Sequence, residues 1–307
     1  MEQQWADFYL AAKSEVLNDS PVLHTMTQGC LPHPTPDIGK QQFYPFCCFP
    51  IKTKAEITRM DFFKRKDVFI LMSGGFDSTA LFMHFYLRGW HIHPYKIRYD
   101  SKQISVETSH LFQILDLFVN DDRVFKLDFM NADIENPSSL NPESEIPVEE
   151  GAYRDFDSVS TVVPGRNLIF LALLANRAEA FALANPSYDV CISSGIHRSD
   201  WEMYPDCRAD FCKSVTTTIL KGTSNRVDVK FPFMLFTKDE ILHKVSDYGE
   251  IAIPDYFEQI LAMSYSCYNG GEQHCGKCPT CIERHEAFMN SLGYDPTPYE
   301  TEPKLPE

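Results

Sequence analysis

The sequence predicts an α/β chain built on a doubly wound parallel sheet, and three observations carry that expectation. Short apolar runs alternate with helical stretches from about residue 67 to residue 245. Val68-Phe69-Ile70-Leu71-Met72 is apolar without a break, as a strand covered on both faces requires. Between that run and the next helical stretch lies a glycine turn, Ser73-Gly74-Gly75-Phe76-Asp77-Ser78. Open α/β sheets bind ligands at the C-terminal ends of their strands, which is where this turn falls.

In chain order, a helical pattern around Trp5–Leu17 gives way to the breaker region from Gly29 to Pro36 and then to apolar bulk without period from Tyr44 to Pro50. Residues 1–66 therefore read as an N-terminal extension that packs on the core or meets a protein partner. After the first strand, Asp77–Arg88 reads as a helix stopped at Gly89, Tyr95–Tyr99 as a strand, Thr108–Phe118 as a helix and Val124–Leu127 as a short strand. Residues 130–160 are acidic and rich in Pro, Ser and Asn, so they read as a long loop, a length that usually serves function. Leu168–Ala184 follows as a buried helix, then a strand at Tyr188–Ser193, a helix at Asp206–Leu220 and a strand at Val227–Phe233. Thr237–Val245 is a helix whose Thr237 and Glu240 form a capping box. The tail from Tyr294 is rich in Pro and Glu and reads as a loose end. The division expected is an extension at 1–66, a domain at 67–292 that includes a cysteine-bearing segment at 264–288, and a loose tail at 293–307.

Bulk properties narrow the function classes. A formal net charge of −15 over 307 residues argues against a basic footprint for nucleic acid. The longest apolar runs, Val68–Met72 and Leu168–Ala175, are too short to span a bilayer, and Met1-Glu2-Gln3-Gln4 lacks the charged start of a signal peptide. A cytoplasmic location with no membrane or nucleic-acid partner is expected. Of ten cysteines, Cys30, Cys47, Cys48, Cys191, Cys207 and Cys212 are scattered and read as small apolar side chains.

The glycine turn has the chemistry of a phosphate site. Gly74 and Gly75 let the backbone approach an anion where a Cβ would intrude, and the amides of the turn and of the following helix start point at it. Ser73, Ser78 and Thr79 add hydroxyls, so Met72, Ser73, Gly74, Gly75, Phe76, Asp77, Ser78 and Thr79 form the candidate nucleotide-binding segment. A plain glycine turn with a capping serine is the bland alternative. No Gly-x-x-x-x-Gly-Lys-Ser/Thr motif is present, so no loop lysine grips the phosphates. Ser-Gly-Gly-x-Asp-Ser instead resembles the PP-loop of ATP-pyrophosphatases. That resemblance implies ATP cleaved between its α and β phosphates, AMP transferred to a substrate oxygen, and Asp77 holding Mg²⁺ against the departing pyrophosphate.

Cys267, Cys275, Cys278 and Cys281 follow C-x₇-C-x₂-C-x₂-C, a spacing that wraps one tetrahedral ion and leaves no open position. Structural Zn²⁺ is the expected occupant. An iron–sulfur cluster is the rival and a disulfide pair the bland alternative. Gly276 and Gly270-Gly271 ease the turns, and His274 and His285 are spare ligands.

With those pieces placed, the chain resembles the 7-cyano-7-deazaguanine synthase (QueC) family. The matching stretches are Ser73–Ser78, Pro147-Val148-Glu149-Glu150-Gly151, Ser160–Asn167, Tyr204-Pro205-Asp206-Cys207-Arg208 with Phe211, Pro232 with Lys238 and Glu240, and Ser266-Cys267-Tyr268-Asn269-Gly270. The resemblance runs from about residue 67 to about 290. It implies the adenine nucleotide alpha hydrolase-like PP-loop fold with a C-terminal zinc-binding subdomain. It also implies a ligase of queuosine biosynthesis that uses ATP and ammonia to turn 7-carboxy-7-deazaguanine into the nitrile, often as a homodimer. By position, Asp77, Ser73, Arg166 and Lys238 become candidate catalytic residues. Arg166, Asn167, Asp200, Asp206 and Arg208 become candidate substrate-binding residues. Arg166 would meet the substrate carboxylate or a phosphate, Asp200 and Asp206 the amino-pyrimidinone edge, Arg208 either Asp206 or a phosphate, and Lys238 the pyrophosphate. Blander roles stand beside these: Asp206 as the N-cap of its own helix, Lys238 as a solvated lysine and Cys207 as an inert residue. Two stretches depart from the family. Trp201-Glu202-Met203 replaces an aromatic followed by Ser-Gly, and Arg98-Tyr99-Asp100-Ser101-Lys102-Gln103 only faintly echoes Asp-Tyr-Gly-Gln-Arg-His. The alternatives that follow are a QueC-like anti-phage enzyme that joins a deazaguanine to a protein amine, and a nucleotide-binding regulator without turnover. A tRNA-thiolating enzyme is disfavoured by the acidic charge.

Overall fold

In the computed structural model, residues 64–152, 160–252 and 256–305 are described. The expectations for the extension, its helical stretch included, fall outside them up to residue 63. Among the described residues are five strands: β1 (Lys66–Leu71), β2 (His91–Arg98), β3 (Asp128–Asn131), β4 (Asp189–Ser193) and β5 (Val227–Lys230). They form one sheet in the order β3-β2-β1-β4-β5 with every neighbour parallel. Val68 lies opposite Ile92 on one side and Cys191 on the other, so β1 is central and hydrogen-bonded along both edges.

Alternate residues of a strand face opposite sides, and both sides here are covered by helices. Phe69 packs with Leu171, Leu174 and Ala178 of α3 (Arg166–Ala184) and with Val215 and Ile219 of α4 (Ala209–Gly222). Val68 and Ile70, both fully buried, face the other layer. There α1 (Phe76–Tyr86) lies on β1 and β2 and meets α5 (Lys238–Ala252) and α6 (Tyr256–Ala262). Helix α2 (Ile104–Asp116) follows β2, and α7 (Pro279–Leu292) packs on α5. The doubly wound parallel sheet expected from the alternation is the sheet observed.

Three expectations are corrected. Strand β2 starts at His91 rather than Tyr95, because its polar start is buried: His93 Nε2 lies 2.8 Å from Asp67 Oδ1, and the imidazole stacks between Phe69 and Phe125. The next strand is Asp128–Asn131, while Val124 makes an isolated bridge to Ile92. The tail is not loose up to Thr301. Thr297 accepts from Arg284, Asp295 meets His285 at 2.9 Å, and Glu300 N donates to His274 O. Buried Arg284 and His285 need the Thr297 and Asp295 acceptors, which composition alone does not reveal.

Helix α3 is long and apolar enough, at 19 residues and mean hydropathy 1.4, to pass as a membrane span. Leu171, Leu174, Ala175, Ala178 and Ala182 instead cover the sheet.

Candidate functional site

The strand order places β2 and β4 on opposite sides of β1, so the chain reverses direction across the C-terminal ends of β1 and β4. Such a switch point opens a crevice in an α/β sheet. A cleft of roughly 240 Å³ lies there, lined by the turn after β1, the segment after β4, the start of α3 and residues from the cysteine segment.

The turn is tightly folded on itself. Ser78 Oγ accepts from the amides of Ser73 and Gly74, and Ser73 Oγ accepts from the amide of Gly75. Gly74 has φ +99°, and a Cβ there would stand 2.3 Å from the Glu107 carbonyl oxygen, so only glycine fits. Across the crevice, a Cβ on Gly195 would come within 3.0 Å of the Asp77 backbone. These two close approaches seat the turn between α2 and the β4 segment. The first amides of α1 have no acceptor inside the helix, and they open at the turn.

Asp77 sits in a charged cluster that sequence reading only half anticipated. Its Oδ1 lies 3.2 Å from His197 Nε2 and 3.6 Å from Lys238 Nζ, and Asp200 Oδ2 lies 3.6 Å from the same imidazole nitrogen. Lys238 Nζ also donates to Glu283 at 2.7 Å. Enclosure pushes the Asp77 carboxyl up, but Lys238 and His197 outweigh it and hold the group well below the usual carboxylate range. Burial pushes His197 down, and Asp200 and Asp77 more than reverse that, raising it to about 9. Asp200 is raised by burial against the pull of His197. Lys238 is thus buried in a network rather than solvated, and its helix opens as expected, with Thr237 N donating to Glu240 Oε2 at 3.1 Å. His197 was not foreseen. Its signal was position alone, four residues beyond β4 at the switch point.

Arg166 and Asn167 open α3, with Gly165 before them at φ +64°. Arg166 lines the cleft beside Tyr99, Tyr204 and Tyr268. It makes no ion pair with a carboxylate among the described residues, and the phenol groups hold it firmly charged against burial. Asp206 does not reach the cleft: its Oδ2 accepts from Asn167 N at 2.9 Å, so it caps α3. The Asp206 helix begins later than expected, at Ala209, with Arg208 at its N-cap. Arg208 meets neither Asp206 nor the cleft; its Nε donates to the Trp201 carbonyl at 3.1 Å. Cys207 lines the cleft, but burial lifts its thiol well above the ordinary range, which matches an inert residue. Trp201, Glu202 and Met203 lie outside the lining, whereas Tyr99 and Gln103 from the other departing stretch belong to it.

The four cysteine sulfurs all lie within 4.8 Å of one another, a set able to hold a metal ion. Cys278 and Cys281 Sγ are 3.4 Å apart, too far for a disulfide. This knuckle touches the turn, since Tyr265 N donates to Gly74 O at 2.9 Å.

A family model described as "Queuosine biosynthesis protein QueC" matches residues 67–292. The chain belongs to the QueC family. QueC relatives named 7-cyano-7-deazaguanine synthase include one from Desulfotalea psychrophila, 34% identical over 233 residues, covering 76% of this chain and 98% of the relative. One from Caldicellulosiruptor saccharolyticus is 33% identical over 76% of this chain and 95% of its own length. One from Porphyromonas gingivalis is 34% identical over 77% and 99%. Among solved structures, U34-tRNA thiolase NcsA from Methanococcus maripaludis with its [4Fe-4S] cluster is similar at a TM-score of 0.28 and 12% identity, covering 64% of this chain and 65% of that one. That likeness is too slight to argue from.

Proposed function

We propose that this QueC member is an ATP-dependent, AMP-forming ligase that activates the carboxylate of 7-carboxy-7-deazaguanine for attack by ammonia, giving the amide and then the nitrile. Relatives named for the nitrile product support the substrate class. The observation that carries the chemistry is that one cleft holds both the Asp77 carboxylate of the PP-loop and the Arg166 guanidinium, which makes no ion pair among the described residues.

A carboxylate is a poor electrophile because its leaving group is poor. Transfer of AMP to its oxygen releases pyrophosphate, attack by ammonia then releases AMP, and one proton is lost as the amide forms. A second ATP activates the amide oxygen, and loss of AMP and a proton leaves the nitrile. Arg166 suits the substrate carboxylate or a phosphate by paired N–H donation. Asp200 accepts from the amino-pyrimidinone edge, and Lys238 meets the departing pyrophosphate. Asp77 would hold Mg²⁺, which would supply charge neutralisation there.

At the cysteine site three of the six sulfur pairs stand 3.4 to 4.0 Å apart and all lie within 4.8 Å, which suits structural Zn²⁺. Zn–S bonds of about 2.3 Å set tetrahedral S···S edges of about 3.8 Å. A four-iron cluster places each thiolate on a different iron and spreads the sulfurs further. A homodimer of cytoplasmic location is the assembly we propose.

A protein amine in place of ammonia is the second reading. It is favoured by Tyr99 and Gln103, which bring part of a stretch that departs from the family pattern into the cleft lining. Mass spectrometry of a reaction with 7-carboxy-7-deazaguanine, ATP, Mg²⁺ and ammonium separates the readings. Ammonium-dependent nitrile with AMP supports the synthase. A base-sized mass gain on a protein supports conjugation, and no AMP at all defeats both and leaves a nucleotide-binding regulator.

A further inference from the structure

We propose that Lys96 is the phosphate-gripping cation of the nucleotide loop, supplied by strand β2 rather than by the loop, with Glu107 as its counter-ion before the nucleotide binds. The inference rests on the ATP reading above.

The loop from Ser73 to Thr79 contains no cation of its own, and its one charge, Asp77, is negative. The polyphosphate of ATP therefore needs positive charge from neighbouring elements. The cleft's other cations are Lys238, paired with Glu283 and Asp77 and assigned above to the departing pyrophosphate, and Arg166, among tyrosines at the start of α3. Neither stands on the strand that adjoins the loop, so Lys96 adds to them there.

Lys96 reaches the loop from the adjoining strand. Tyr95 pairs with Leu71, and Met72 N donates to Tyr95 O at 2.8 Å, so residue 96 stands beside the point where β1 becomes the loop. The side chain is 2% exposed, yet it belongs to the cleft lining. Its ammonium donates to the Ser73 carbonyl and to Glu107 Oε2, the latter at 3.1 Å.

Both contacts bear on anion binding. In a trans peptide the carbonyl of Ser73 and the amide of Gly74 point in opposite directions. By holding that carbonyl, Lys96 turns the Gly74 amide toward the loop interior, where Ser78 Oγ accepts it. An ammonium has three donors, and among the described residues two are taken. A buried ion pair is also a poor way to stabilise a fold, since apolar residues of similar volume do as well. Burial raises the Glu107 carboxyl against the pull of Lys96, so Glu107 is a costly partner that a phosphate can replace.

Calorimetry of the full chain with ATP and with adenosine tests this. A double variant, Lys96→Met with Glu107→Gln, removes the pair without stranding a buried charge. It should bind adenosine as the wild type does and ATP about 10- to 100-fold more weakly, the worth of a charge-assisted hydrogen bond. Glu107→Gln alone should bind ATP at least as tightly as the wild type. A folded double variant that keeps the wild-type preference for ATP over adenosine overturns the proposal. If the double variant does not fold, Glu107→Gln decides: weaker ATP binding there makes the pair structural. A wild type with no preference for ATP defeats the ligase reading itself, and that failure shows before any variant is made.

Discussion

Nε2 of His197 stands 3.2 Å from Oδ1 of Asp77 and 3.6 Å from Oδ2 of Asp200, so one buried imidazole lies between two carboxylates of the cleft. Because His197 is raised to about 9, the folded chain holds its proton more tightly than the unfolded chain does. The stabilisation is complete below about pH 6.5 and is lost as pH rises to about 9. Its size is on the order of 3 kcal/mol at most. Thermal melting of the metal- and nucleotide-free cleft from pH 6 to pH 10 should show wild type losing Tm through that window and His197→Asn losing much less. Parallel curves would remove His197 as the source.

Asp77→Asn tests the metal role. The amide keeps the shape but gives up the charge that faces Lys238 and His197. AMP release should fall by about 100-fold or more, since a catalytic metal ion contributes several kcal/mol. Binding of ATP without Mg²⁺ should hold or tighten as the cleft becomes more positive. Unchanged AMP release would separate Asp77 from the chemistry.

Much of the frame was legible because parallel strands are unbroken apolar runs, as Val68–Met72 shows, and because glycine at Gly74 has no substitute. What escaped was polar and buried. His93 and Lys96 sit inside β2, yet a histidine and a lysine in a short strand look like exposed positions. Asp206 looked like a ligand or the cap of its own helix, and it caps α3, a neighbour 39 residues earlier in the chain. Such contacts are set by tertiary approach, which local pattern does not encode. The PP-loop and the cysteine spacing were legible because each brings its chemistry together within a few residues.

The cysteine site predicts one zinc per chain and no iron. Elemental analysis together with the absence of visible absorbance checks that. Cys278→Ser should lower zinc content and also weaken ATP binding, because Tyr265 beside the knuckle donates to Gly74 of the loop. Zinc loss with unaltered ATP affinity would show that the knuckle and loop are energetically independent.

The tail should matter for stability. Arg284, fully buried, donates to Thr297 at 2.7 Å as well as to Ser264, Ser266 and the carbonyls of Leu261 and Ala262. Thr297→Val leaves one guanidinium donor without an acceptor, at a cost of about 2 kcal/mol. Urea denaturation should report that loss, with little change in the ATP KM at full occupancy of the folded state. A neutral substitution would mean that water takes the place of the hydroxyl.

Arg166→Lys separates carboxylate recognition from nucleotide binding. The guanidinium stands beside Tyr99, whose hydroxyl accepts at 3.5 Å, and it makes no ion pair among the described residues. Lysine keeps the charge but loses the planar pair of donors that fits a carboxylate. If Arg166 meets the deazaguanine carboxylate, the KM for that substrate should rise about 10-fold or more while the KM for ATP stays within about two-fold, consistent with one charge-assisted hydrogen bond lost at one ligand. If Arg166 meets a phosphate instead, the two effects exchange places. Equal loss for both ligands would point to a collapsed α3 start, which the Asp206 cap on Asn167 should prevent.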